Sequence, residues 1–125
     1  MIYRTRKMVM PADLNGRNTL FGGKLVSWVD EEAYIYATCQ LETCDIATVY
    51  IGDFQFHSPA ACGDIIEIGV EATRFGTTSL EVKAEVRNKT TKKLICSCNK
   101  LVMVTIDQAG NKRPHGHTEV KLDSD

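Results

Sequence analysis

Between Phe21 and about Leu41 the sequence FGGKLVSWVDEEAYIYATCQL contains no proline, and Leu25, Val29, Ala33 and Tyr36 recur at three-to-four spacing. That is the period of one helix face. Trp28, Ile35 and Ala37 widen the stripe, so the helix is apolar on most sides and has to be buried. Everything that could cover it reads as strand. Ile46 to Phe56 alternates. Ile66, Ile68, Val70 and Ala72 fall on every second position, and Leu80, Val82, Ala84 and Val86 interleave with Glu81, Lys83 and Glu85. Leu94 to Ile106 alternates again, and period two marks strands. With the opening Tyr3 to Met10 the strands number five, and Pro59 to Asp64, Phe75 to Thr78 and Asn88 to Lys92 carry the turn residues.

Strands joined in succession by short turns predict an antiparallel meander, with one face buried against the helix as the only available cover. The expected class is α+β, an antiparallel five-stranded sheet wrapped around one long central helix. The chain has 125 residues, 43% of them hydrophobic, which suits one domain with its own core over residues 1–106. Residues 107–125, DQAGNKRPHGHTEVKLDSD, are polar and turn-rich and read as a flexible tail.

Fifteen Lys and Arg against sixteen Asp and Glu leave a formal charge of -1. That balance asks for neither nucleic acid nor a membrane surface, so an anionic ligand has to be held by a local patch. The opening MIYRTRKMVM has no apolar run of signal-peptide length, and no window approaches a membrane span, so a cytoplasmic location is expected. Cys39, Cys44, Cys62, Cys96 and Cys98 lack the two-residue gap of a zinc site and read as reduced, mostly buried small residues. His115 and His117 form His-Gly-His, too little for a metal site, and no metal is expected.

Asp30 falls in the middle of the apolar helix, where a carboxylate is costly unless something uses or compensates it. The alternative is an exposed stripe shared with Glu31 and Glu32. Gly22-Gly23 opens the helix, where free N–H groups and the positive dipole end can hold a developing oxyanion. An ordinary loop ahead of a helix is the other reading.

Further segments extend the pattern: Met10-Pro11-Ala12-Asp13-Leu14-Asn15, Phe21-Gly22-Gly23, Val29-Asp30-Glu31, Ala47-Thr48-Val49, Phe56-His57-Ser58-Pro59, Gly63-Asp64 and Gly76-Thr77-Thr78-Ser79. In this order, across roughly residues 4 to 106, the set closely resembles the hotdog acyl-CoA thioesterases of the bacterial short-chain and mammalian cytosolic type. The resemblance implies a hotdog fold and hydrolysis of acyl-CoA to free acid and CoA. Asp30 would act as general base on water or as nucleophile on the thioester carbonyl. Asn15 would be a second active-site side chain, although Asn15-Gly16 is also a strong turn dipeptide and Asn18 an alternative turn asparagine. Tyr34, one turn after Asp30, is expected to line the same pocket, and Thr48 matches a threonine near the thioester. Arg74 with Gly76, Thr77, Thr78 and Ser79 offers a cation and donors for CoA phosphates, or else an ordinary hairpin turn. Lys92 and Lys93 would add charge there or simply form a solvated edge. His57 is placed near the ligand without a chemical role. No cofactor is implied, because coenzyme A is part of the substrate and product.

Eight residues separate Gly22 from Asp30, so along a helix they lie about 12 Å apart. A reacting carbonyl must sit within about 3 Å of its donors, so a single site needs Asp30 from one protomer and Gly22 or Gly23 from another. An obligate homodimer with antiparallel central helices is therefore expected, and the resemblance favours a trimer of dimers. Two rivals are a non-catalytic acyl-CoA binding or sensing module, and a hotdog hydratase. Retention of Asp30, Gly22 and Asn15 together speaks against the first. The second needs a histidine paired with a carboxylate, and the context of His57 does not match. Ala12 stands at a position that varies among relatives, and acyl chain length is not readable from these residues.

Overall fold

The computed structural model describes residues 1–121. Strand β1 (Ile2–Met8) leads through a 3-10 turn at Pro11–Asp13 into helix α1 (Gly22–Leu41), followed by β2 (Ile46–Phe56), β3 (Ile65–Phe75), β4 (Ser79–Asn88) and β5 (Leu94–Thr105). The helix begins after the extended Phe21 and stops where Glu42 turns left-handed at φ 55°. Among the described residues, no helix is long and apolar enough to cross a membrane.

The strands form one antiparallel sheet in the order β1-β3-β4-β5-β2. The expected meander is therefore correct only for β3, β4 and β5. Strand β2 runs along the far edge against β5, from Ile46↔Thr105 to Phe56↔Cys96, and β1 takes the other edge on β3. The connection permits it: residues 57–64 can span about 26 Å when extended, well beyond the ~14 Å of three strand spacings.

Helix α1 lies across one face of the sheet. Leu25, Val29, Ala33, Tyr36 and Leu41 join Ile66, Ile68, Leu80, Val82, Val86, Leu101 and Met103 in a single core. The alternation in β3 and β4 exists because every second side chain enters that core. Cys96 and Cys98 are buried in it, and burial pushes the Cys96 thiol up to about 12. Cys39 is only half-buried and Cys44 and Cys62 are exposed, so the expectation of mostly buried cysteines fits two of the five.

On the opposite face, Glu67 is 2% exposed yet charged. It receives Arg87 Nε at 2.7 Å, Lys92 Nζ at 3.3 Å and Arg6 Nε at 3.4 Å. Burial alone would raise its carboxyl, but the hydrogen bonds and charges of Arg87 and Lys92 outweigh that and hold it below the ordinary value. A carboxyl lowered in the folded state stabilises the fold above its unfolded pKa, and that contribution is lost as pH falls through the lower folded value. Arg87→Met is thus expected to cost about 1.5–3 kcal/mol at neutral pH. The deficit should shrink as pH drops below about 4. Urea midpoints of both proteins at pH 7 and pH 3 check this.

The segment after β5, expected to be a flexible tail, is instead a strap bound to the body as far as Lys121. Arg113 N–H donates to Thr105 O (2.9 Å) and His115 N–H to Thr77 O (3.1 Å). Gln40, wholly buried on α1, grips the far end: its Nε2 donates to Lys121 O at 3.2 Å, and Lys121 N–H donates to its Oε1 at 2.8 Å. Polar composition suggested solvation, whereas these polar groups are satisfied by the chain itself. The remainder of the expected tail, 122–125, lies outside the described residues.

Candidate active site

Asp30 sits halfway along α1, partly buried, and Thr48 Oγ1 donates to its Oδ1 at 2.8 Å. A bulge aims that hydroxyl. Thr48 opposes Met103 and Tyr50 opposes Val102, leaving Val49 as an extra residue in β2. No other hydrogen bond reaches the Asp30 carboxylate among the described residues, so its second oxygen is available. The shared-stripe alternative does not hold, because Glu31 is exposed while Glu32 is buried.

A second group of residues gathers at the start of α1. Asn15, Gly22, Phe56, His57, Ser58 and Ile95 help line a cleft of about 380 Å³. The first hydrogen bonds into Phe21 O come from Lys24 and Leu25, at 3.0 and 3.2 Å. The Gly22 and Gly23 N–H groups therefore have no acceptor among the described residues, as helix geometry requires at a first turn. A Cβ at Gly22 would stand 3.2 Å from the tip of the Phe56 ring, so close packing of that ring also favours glycine.

Asn15 builds its turn and also faces the cleft. Its Oδ1 accepts from Arg17 N–H (2.8 Å) and Thr19 N–H (3.2 Å), and its Nδ2 donates to Thr19 Oγ1 (3.0 Å), which builds the turn. It also forms cleft wall, with one Nδ2 proton to spare. Asn18, the alternative, takes the left-handed position of that turn at φ 61°. His57 follows β2 directly, with Nε2 2.8 Å from Ser97 Oγ.

Tyr34, one turn beyond Asp30 on α1, does not line the Gly22 cleft. Its hydroxyl donates to Cys44 O at 2.6 Å, tying α1 to the loop before β2. A phenol near the surface takes the nearest open carbonyl.

The 74–79 turn lies elsewhere in the chain. Gly76 N–H closes it on Ser79 O at 2.9 Å, and Thr78 O accepts from Thr105 N–H at 2.8 Å. A Cβ on Gly76 would meet Ser79 Oγ at 2.3 Å, so a side chain there would require the serine hydroxyl to rotate away. Arg74 reaches Glu81 Oε2 at 3.3 Å. Lys92 does not add charge here, because it is bound to Glu67 and the ten residues of β4 set its turn about 30 Å away. What flanks the turn instead is the strap. A cleft of about 440 Å³ lies between them, with Arg74, Thr77, His115, His117 and Thr118 among its walls. Sequence reasoning set both histidines aside with the tail, and no periodicity or spacing would have recovered them.

One protomer therefore holds Asp30 with Thr48, and the Gly22 cleft, about 12 Å apart along the helix. Known proteins share this arrangement of elements. The model of the thioesterase superfamily matches residues 17–95. The uncharacterized acyl-CoA thioester hydrolase YkhA of Bacillus subtilis (strain 168) is 33% identical over 111 residues, covering 85% of this chain and 63% of that protein. The acyl-CoA thioester hydrolase YciA of Salmonella typhimurium is 30% identical over 121 residues, covering 87% of this chain and 86% of that one. The hexameric thioesterase y2039 from Yersinia pestis superposes with a TM-score of 0.80 at 27% identity, covering 88% of this chain and 91% of that one. An acyl-CoA hydrolase from Staphylococcus aureus in complex with butyryl coenzyme A, coenzyme A and coenzyme A disulfide gives 0.78 at 28% identity, covering 88% and 66%.

Proposed function

The chain belongs to the thioesterase superfamily, and from that premise we propose that it hydrolyses acyl-CoA thioesters to the free carboxylic acid and CoA. The observation that carries the reading is Asp30, fixed by Thr48 in mid-helix with one oxygen available. In the proposed reaction Asp30 takes a proton from water as the water oxygen attacks the thioester carbon, or attacks that carbon itself to give a mixed anhydride that water then opens. The Gly22 and Gly23 N–H groups of the partner protomer donate to the carbonyl oxygen as it gains charge. Asn15 orients with its spare Nδ2 proton. The C–S bond breaks; in the general-base route the CoA sulfur leaves with the proton that Asp30 took from water, and in the anhydride route it leaves as thiolate and takes a proton from solvent. No metal or cofactor takes part.

The catalytic unit is a homodimer. Strand β2 ends the sheet, and Val49, Tyr50 and Ile51 are exposed along it, an open apolar edge of the kind a second copy covers. Three such dimers then make a hexamer, the assembly of the Yersinia pestis thioesterase y2039. Five free thiols suit a reducing cytoplasm. Steady-state release of thiol from acyl-CoAs, acetyl to palmitoyl, tests the reading. Turnover at some chain lengths is the expected result. Binding of acyl-CoA without thiol release would instead make the protein a sensing module.

A further inference from the structure

We propose that the strap, through His117, forms one wall of a seat for the phosphorylated end of the carrier, a role resting on the acyl-CoA reading above. The chain as a whole has a charge of -1, so anion binding must come from local groups. The cleft of about 440 Å³ between the 76–79 turn and the strap supplies them, and its volume lies in the range of small-molecule sites. Arg74 gives a planar cation with only one nitrogen turned to Glu81. The Thr77 hydroxyl, the Thr118 hydroxyl and both ring nitrogens of His117 have no hydrogen-bond partner among the described residues. Among the described residues, no carboxylate lines the cleft. Glu81, which holds Arg74 from outside it, is shared between Arg74 and Lys100.

The strap is held in place on both sides of His117. Ser79 O can only accept, so His115 Nε2, at 2.9 Å, carries a proton. His117 N–H donates to His115 Nδ1 at 3.0 Å, which fixes the neutral tautomer and seats residue 117 directly. The Phe75 ring packs edge-on against His115, with centroids 6.3 Å apart, and Gln40 holds Lys121 beyond. His115 is thus a positioning residue, and His117 is the group that meets the ligand.

The sheet ladder places this seat within reach of the chemistry. Thr48 opposes Met103 and Met103 opposes Leu80, so the turn begins about two strand spacings, roughly 10 Å, from the threonine that holds Asp30. One extended carrier can lie from the cleft to Asp30 of the same protomer, its thioester then meeting the glycines of the partner.

Calorimetric titration of wild type, His117→Ala and His117→Arg with CoA, 3′-dephospho-CoA and pantetheine tests the seat without relying on turnover. His117→Ala should weaken CoA about tenfold, leave pantetheine unchanged, and be largely rescued in His117→Arg. Loss confined to CoA assigns the 3′-phosphate to the seat, and equal loss with dephospho-CoA assigns the pyrophosphate. No loss, or equal loss with pantetheine, overturns the seat while thiol release by wild type still supports the thioesterase reading. Wild type that binds no CoA overturns both.

Discussion

Asp30→Asn is expected to lower kcat for acyl-CoA hydrolysis by about 10²–10⁴-fold, the range a positioned general base supplies, while KM stays close to wild type. The asymmetry follows from the local geometry. Asparagine has the shape of aspartate and can still accept the Thr48 hydroxyl through Oδ1, so the bond between α1 and β2 survives. What disappears is the basic, nucleophilic second oxygen. The thioester itself is gripped elsewhere, by the partner's cleft and by the phosphate seat, so ground-state binding has little reason to change. Thiol release by the variant, with its melting temperature alongside, decides the matter. A fall of less than about tenfold in an intact protein would remove Asp30 from the chemistry.

The second large effect concerns the division of the site between protomers. Gly22→Val puts a side chain where a Cβ already stands 3.2 Å from Phe56, crowding the mouth of the cleft. Alone it should be nearly inactive, as should Asp30→Asn. Unfolded together in equal amounts and refolded, the two are expected to recover about a quarter of wild-type activity, because half the two-fold dimers are mixed and one of their two sites carries neither change. A site contained within one chain would recover nothing. The experiment therefore reads the 12 Å separation as a rate, and a null result would sink the shared site while leaving the Asp30→Asn prediction intact.

Local patterns made much of the molecule legible. The stripe through Leu25, Val29, Ala33 and Tyr36 marks α1 because a helix face must be apolar to be buried, and the alternation in β4 marks a strand with one face in the core. Asp30 was visible because a carboxylate amid such a stripe violates the pattern around it. These are short-range rules, and they act within a turn or a few residues.

Other features have causes far apart in the chain. Alternation tells which face of β2 is inward, but its partner along the edge is β5, nearly fifty residues on, because pairing depends on the path of 57–64 and on the helix between. Tyr34, one turn from Asp30, turned to Cys44 O, since the nearest open acceptor decides where a phenol bonds. The strap looked mobile because polar composition is ordinarily met by water. Here its partners are Thr77, Ser79 and the buried Gln40, residues that lie beside it only once the sheet has formed. Periodicity and chemically odd residues can be read along the chain, whereas a hydrogen-bond partner is chosen by distance in space, and for β2, Tyr34 and His115 that distance exists only in the folded protein.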